Sequence, residues 1–152
     1  MNDRLKQLYK HHILIKSKDD THVGELEGYT HILEAYNPMC GDKYNLYLQV
    51  KGQTITGASF KGFGCAISKA STAVLTERLI GTSLTEAGKL VNLFMEVINP
   101  DSSMAIEELT KDEELQAFAG TRDYPERIEC AGLAWKEFTE FERKGHFSVD
   151  NS

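Results

Sequence analysis

The sequence has 152 residues but only three cysteines, three prolines and one tryptophan. A small, odd number of cysteines does not describe a disulfide framework. Their separations, 24 and 64 intervening residues, match no paired zinc-finger spacing. No stretch approaches the about 20 consecutive apolar residues that a bilayer span needs, so no membrane segment is expected. Met1-Asn2-Asp3-Arg4 carries charge at once and no apolar signal core follows, which points to a cytoplasmic protein. Positive charge is also scarce, with 17 Lys and Arg against 23 Asp and Glu for a net charge of −6. Without a basic stripe, nucleic acid is not an expected partner.

The negative charge is unevenly placed. Asp101 to Glu126 holds eight acids and two bases, leaving the remainder balanced at fifteen of each sign. The segment at about 101–123 therefore reads as acidic, either a solvated excursion from the core or a docking surface for a basic partner. With 41% hydrophobic and 26% charged residues, no internal repeat and no low-complexity linker, the chain reads as one globular domain over 1–152.

Leu5, Leu8, His12 and Ile15 recur at helical spacing within Leu5–Lys16. Asp20–Gly28 is polar and reads as a loop. Tyr44 to Val50 alternates as a strand, with Tyr44, Leu46, Leu48 and Val50 toward the core. A turn at Lys51-Gly52-Gln53 returns the chain through Thr54–Phe60 as an antiparallel partner, and Tyr29–Ala35 carries a fainter third strand pattern. From Cys65 the period changes. Ala66, Ile67, Ala70, Ala73 and Val74 share one arc of a helix ending near Gly81, interrupted by Glu77. Ser83-Leu84-Thr85-Glu86 is a capping box opening the next helix, which Asn99-Pro100 stops. Ile128, Ala131, Ala134, Trp135, Phe138 and Phe141 mark a final helix, with Gly145 as its stop. Strands followed by helices predict an α+β fold, a small three-stranded antiparallel sheet with helices packed mainly on one face.

Each cysteine stands beside a turn-former at an element boundary. Cys40 lies between Pro38 and Gly41, in a turn just ahead of a strand. If the backbone there is extended, Cys40 and Asp42 face one point, and thiolate and carboxylate are both zinc ligands. Cys65 follows Gly62-Phe63-Gly64, where glycine lets the backbone approach a bound group, and it opens a helix at the positive end of the dipole. Cys130 stands early in the last helix, at the edge of its apolar arc. Three buried structural thiols would also fit the count, since free cysteine is among the most buried residue types. His11, His12, His22, His31 and His146 are all distant in sequence from the cysteines, so a Cys–His hydrolase is not the expected reading.

Three motifs carry a resemblance: Asn-Pro-x-Cys-Gly-Asp at 37–42, Gly-x-Gly-Cys-Ala-Ile-Ser-x-Ala-Ser at 62–71, and Arg-Ile-x-Cys-Ala-x-Leu-Ala-Trp at 127–135. Together, and in this order, they resemble the NifU N-terminal/IscU family of iron–sulfur assembly proteins. Glu129 stands where scaffold members carry histidine. Asp123-Tyr124-Pro125-Glu126-Arg127 stands where they carry a Leu-Pro-Pro-Val-Lys segment. The acidic stretch between Pro100 and Tyr124 resembles the insertion of the SufU branch.

That resemblance implies a Zn2+ site made by Cys40, Asp42, Cys65 and Cys130, with Gly41 and Gly64 shaping its approach. It implies sulfur transfer through Cys40 from a PLP-dependent cysteine desulfurase of the SufS type, with downstream iron–sulfur assembly proteins as further partners. Arg127, one helical turn before Cys130, is the expected supporting cation. A scaffold holding a transient [2Fe-2S] cluster or iron on the same ligands is the alternative, because thiolates accept both metals. A metal-free structural domain with a partner-docking face is a third reading.

Overall fold

A computed structural model describes residues 2–144 of the chain. The expected stop at Gly145, and His146, lie outside them. Helix α1 spans Asp3–Ser17, followed by strands β1 (His31–Asn37), β2 (Asp42–Lys51) and β3 (Thr54–Phe63). The chain continues as α2 (Ala66–Leu79), α3 (Leu84–Val97), two short helices α4 (Ile106–Leu109) and α5 (Glu113–Ala117), a 3-10 turn at Phe118–Asp123, and α6 (Pro125–Arg143).

The three strands form an antiparallel meander in the order β1-β2-β3. The fold is α+β, as expected. Leu33 pairs with Leu46 and Ala35 with Tyr44 in one ladder, and Leu46 pairs with Phe60 in the other. Because side chains alternate across a strand, these residues share the buried face together with Leu48 and Val50. The weakly signalled strand is real, shifted by two residues toward Asn37, and β3 runs three residues beyond its expected end. The outer face is not wholly open. Tyr47 is buried there with Tyr29 edge-on at 5.2 Å, and the 20–28 segment hydrogen-bonds along β3 through His22 and Gly24.

The expected capping box is present: Ser83 Oγ accepts from the Glu86 N–H at 3.0 Å, and Glu86 Oε1 accepts from the Ser83 N–H at 2.9 Å. Trp135 of α6 stacks on Phe94 of α3, with ring centroids 3.7 Å apart, and its Nε1–H donates to Ser71 Oγ of α2 at 2.7 Å. Helix α2 departs from the expected single apolar arc and is buried on almost every side, between α1, α6 and β3. Its buried Thr72 and Thr76 hydroxyls donate to the carbonyls of Ser68 and Thr72, so polar side chains enter the core without unpaired groups.

The acidic segment is not a solvated excursion. Leu115 and Phe118 belong to the main core, while Ile106 and Ala119 join Leu5 and Val97 in a smaller cluster. Its acids turn outward to cations on α1 and α2. Arg78 reaches Asp112 at 2.7 Å and Glu114 at 2.9 Å, Lys16 lies 3.7 Å from Glu114, and Arg4 lies 3.2 Å from Glu113. Arg122 donates to the carbonyls of Val97 and Glu96 and so closes the C-terminus of α3. Much of the negative charge is thus answered within the fold.

Candidate metal centre

The three cysteines arrive from three separate elements. Cys40 is exposed in the β1–β2 turn, where Gly41 takes φ +78° and returns the chain into β2. Asp42 is the first residue of β2 and is 2% exposed. Cys65 is the N-cap of α2, its Sγ accepting from the Ser68 N–H at 3.4 Å. Cys130, in the second turn of α6, is buried.

Cys40 Sγ donates to Asp42 Oδ2 at 3.2 Å and lies 3.9 Å from Cys130 Sγ. The ligand atoms of Cys40, Asp42 and Cys130 all fall within 4.8 Å of one another. Cys65 stands beside this group, its Sγ 3.9 Å from Asp42 Oδ2 and its backbone N–H donating to Asp42 Oδ1 at 3.1 Å. No histidine among the described residues joins the group.

Two glycines shape the backbone around these atoms. A Cβ added at Gly64 would stand 2.7 Å from Asp42 Oδ1 and 2.8 Å from the Tyr44 hydroxyl, and closer still to Ser68 Oγ. Residue 64 therefore has to be glycine for β3 to turn into α2 against the carboxylate. At Gly41 the space is open, and the positive φ alone favours glycine.

Sequence reasoning missed the polar residues beneath the site. The Tyr44 hydroxyl lies 3.1 Å from Ser68 Oγ, and Ser68 Oγ donates to the Cys65 carbonyl. Burial is the main cause that pushes the Tyr44 pKa up to about 12, so it stays a neutral phenol. The Cys65-x-x-Ser68 spacing is the sequence signal that could have located Ser68, since it places a polar side chain at the third position after an N-cap.

Arg127, the expected supporting cation, has its Cζ 4.2 Å from the Tyr124 ring centroid and donates to the Tyr9 hydroxyl at 3.3 Å. Burial raises the Tyr9 pKa, and Cys65 adds to that rise. Glu129 pairs with Lys136 at 3.1 Å, both side chains exposed. An open groove of about 530 Å³ runs beside Cys40, bounded by Asn37, Met39, Pro125, Glu126 and Glu129.

Burial, then Cys65 and Asp42, drive the Cys130 thiol far above its ordinary range. Burial beside two other sulfurs and a carboxylate thus disfavours the thiolate at Cys130. A divalent cation reverses that balance. Three sulfurs and one oxygen are a donor set suited to tetrahedral zinc, so the residues present fit such an ion.

The chain belongs to the NifU-like N terminal domain family, whose model matches residues 8–131. Relatives named as iron–sulfur cluster assembly scaffold proteins are among those it matches. It is 35% identical to the iron–sulfur cluster assembly scaffold protein IscU of Streptococcus pyogenes serotype M1, over 90% of this chain and 84% of that one. It is 29% identical to the zinc-dependent sulfurtransferase SufU of Bacillus subtilis, covering 89% of each chain. Among solved structures, a protein of Fervidobacterium islandicum assigned as an iron–sulfur cluster assembly scaffold for the SUF system superposes with a TM-score of 0.77 at 30% identity, covering 88% of this chain and 95% of that one. No helix among the described residues is long and apolar enough to cross a membrane.

Proposed function

We propose that the protein is a zinc-dependent sulfurtransferase of iron–sulfur cluster assembly, acting in the cytoplasm and taking sulfur from a PLP-dependent cysteine desulfurase of the SufS type. The observation that carries this reading is the contrast in exposure within the site. Cys40 stands exposed on a turn at the mouth of a groove, whereas Asp42 and Cys130 are buried in regular elements. Cys65 is exposed as well but is held as the cap of α2, its Sγ accepting the Ser68 N–H, so Cys40 is the exposed sulfur that stands on a turn outside regular structure.

Cys40, Asp42, Cys65 and Cys130 hold the zinc, which when bound supplies a redox-inert positive charge that keeps sulfurs as thiolates. The Cys40 thiolate attacks the terminal sulfur of the partner's cysteine persulfide. The partner's sulfur–sulfur bond breaks as a new one forms at Cys40, and the partner's cysteine leaves as a thiolate. One neutral sulfur atom moves with its proton, so no outside oxidant or reductant is required. Downstream iron–sulfur assembly proteins then receive it.

Cys40→Ala tests the assignment. It should abolish persulfide acceptance from the desulfurase while the protein stays folded, and acceptance at the native rate would sink the reading.

A second reading is a scaffold that assembles a transient [2Fe-2S] cluster on the same ligands. The relatives named IscU, at 35% and 32% identity, favour it. Metal content and visible absorbance after purification without air separate the two. Stoichiometric zinc without colour supports transfer, and a brown iron chromophore supports the scaffold.

A further inference from the structure

A second pocket, of about 200 Å³, lies between α1 and α6 and contributes nothing to the donor set. Lys6 and Lys10 of α1 line it together with Arg127 of α6, the rings of Tyr9 and Tyr124, and Gly120. Among the described residues no carboxylate lines this pocket, although the chain as a whole carries a net charge of −6.

Lys6 and Lys10 are four residues apart and therefore share one face of α1. Both are exposed, and neither enters an ion pair among the described residues. They differ in this from Arg4 and Lys16 on the same helix, whose charges are answered by acids of the fold. Gly120 belongs to the acidic segment. A Cβ there would stand 2.5 Å from Tyr9 Cδ1 and 2.8 Å from its Cγ, so only glycine lets the tyrosine ring lie against the 3-10 turn. The insertion thereby completes a cationic, aromatic-lined pocket beside the cysteine site. The pocket lies near that site: Arg127 stands one turn before Cys130 on α6, and Cys65 is close enough to act on the Tyr9 hydroxyl.

We propose that this pocket is a docking point for an acidic segment of the partner protein, one that also carries an apolar or aromatic residue. The carboxylates would meet Lys6, Lys10 and Arg127, and the apolar residue would lie against Tyr9 and Tyr124. This rests on the sulfurtransferase reading, in which a partner covers Cys40, and it names a contact outside the chemistry. Charge complementarity of this kind acts on encounter rate and salt dependence more than on the reacting atoms.

The test is calorimetric binding of the zinc-loaded protein to its cysteine desulfurase across a salt series. It compares wild type with the Lys6→Glu/Lys10→Glu double variant and with Lys6→Gln/Lys10→Gln. The Glu pair should weaken binding at least tenfold at low salt, the Gln pair less, and both should flatten the salt dependence. Zinc stoichiometry and thermal midpoint should remain those of wild type. If both variants bind as wild type does, with the same salt slope, the pocket is not a docking point and the sulfurtransferase reading stands. If wild type itself fails to bind the desulfurase, that reading falls and the docking proposal falls with it.

Discussion

The Asp42 carboxylate ties two elements together: Oδ1 accepts the Cys65 backbone N–H at 3.1 Å, while Oδ2 lies 3.2 Å from Cys40 Sγ. One buried side chain thus fixes the start of α2 against the start of β2 and also faces the exposed thiol.

Those two duties separate by substitution. Asp42→Asn keeps an acceptor for the Cys65 N–H but removes the charge. It should cost little stability while weakening zinc retention against a competing chelator. Asp42→Ala also leaves the N–H without its acceptor, which should lower folding stability by a further ~1–3 kcal/mol. Equal zinc retention in wild type and Asp42→Asn would remove Asp42 from the ligand set.

The two glycines of the site predict unequal penalties. Gly64→Ala drives a methyl group against Asp42, Tyr44 and Ser68. It should destabilise by about 1–3 kcal/mol and reduce zinc loading. Gly41→Ala meets no atom within 4 Å and carries only the strain of its positive φ, a cost of about 1 kcal/mol. Chemical denaturation of both variants, with zinc measured in parallel, checks the order.

The Arg78 pairs set an acid dependence. Burial alone would raise the Asp112 pKa, but the hydrogen bond and charge of Arg78, with the N–H groups of Leu115 and Glu114, hold it below its ordinary value. A carboxyl whose folded pKa is depressed adds stability above its unfolded pKa, and that stability is lost as pH falls through the folded pKa. Arg78→Gln should therefore lower stability by about 2 kcal/mol at pH 7. The deficit should begin to narrow below about pH 4, where the unfolded carboxyl protonates, and should close only as pH falls through the depressed Asp112 pKa of the folded wild type. A deficit independent of pH would assign the effect to packing instead.

Trp135 is the single tryptophan, wholly buried and stacked on Phe94. Its fluorescence should be blue-shifted in the native protein and move to the red in one step with loss of helical circular dichroism. Trp135→Ala should cost ~3–5 kcal/mol, and Trp135→Phe clearly less because an aromatic face remains. Denaturation midpoints of the two variants give the comparison.

The hairpin was legible because one of its faces is core, so alternation from Tyr44 to Val50 maps onto burial except at Tyr47, which is buried on the outer face against Tyr29. Helix α2 was harder to read. Thr72 and Thr76 are polar by type, yet they are buried because their hydroxyls return to the helix's own carbonyls. The acidic segment misled for a related reason: charge dominates its composition, while Leu115 and Phe118 decide where it goes. The three thiols were visible as boundary residues, and family resemblance named them as a set. Tyr9 was invisible in that role, since its bond to Arg127 spans 118 residues of sequence.

The donors come from a turn, a strand start, a helix cap and the last helix, with 64 residues between Cys65 and Cys130. During synthesis on the ribosome, two thiols and the carboxylate emerge long before the third thiol exists. On the proposed zinc reading, a nascent chain offers the metal only an incomplete claw, and full coordination waits until α6 has left the exit tunnel and closed against α2. Loading would then report completion of the fold: a chain that has not docked α6 has no complete centre to load.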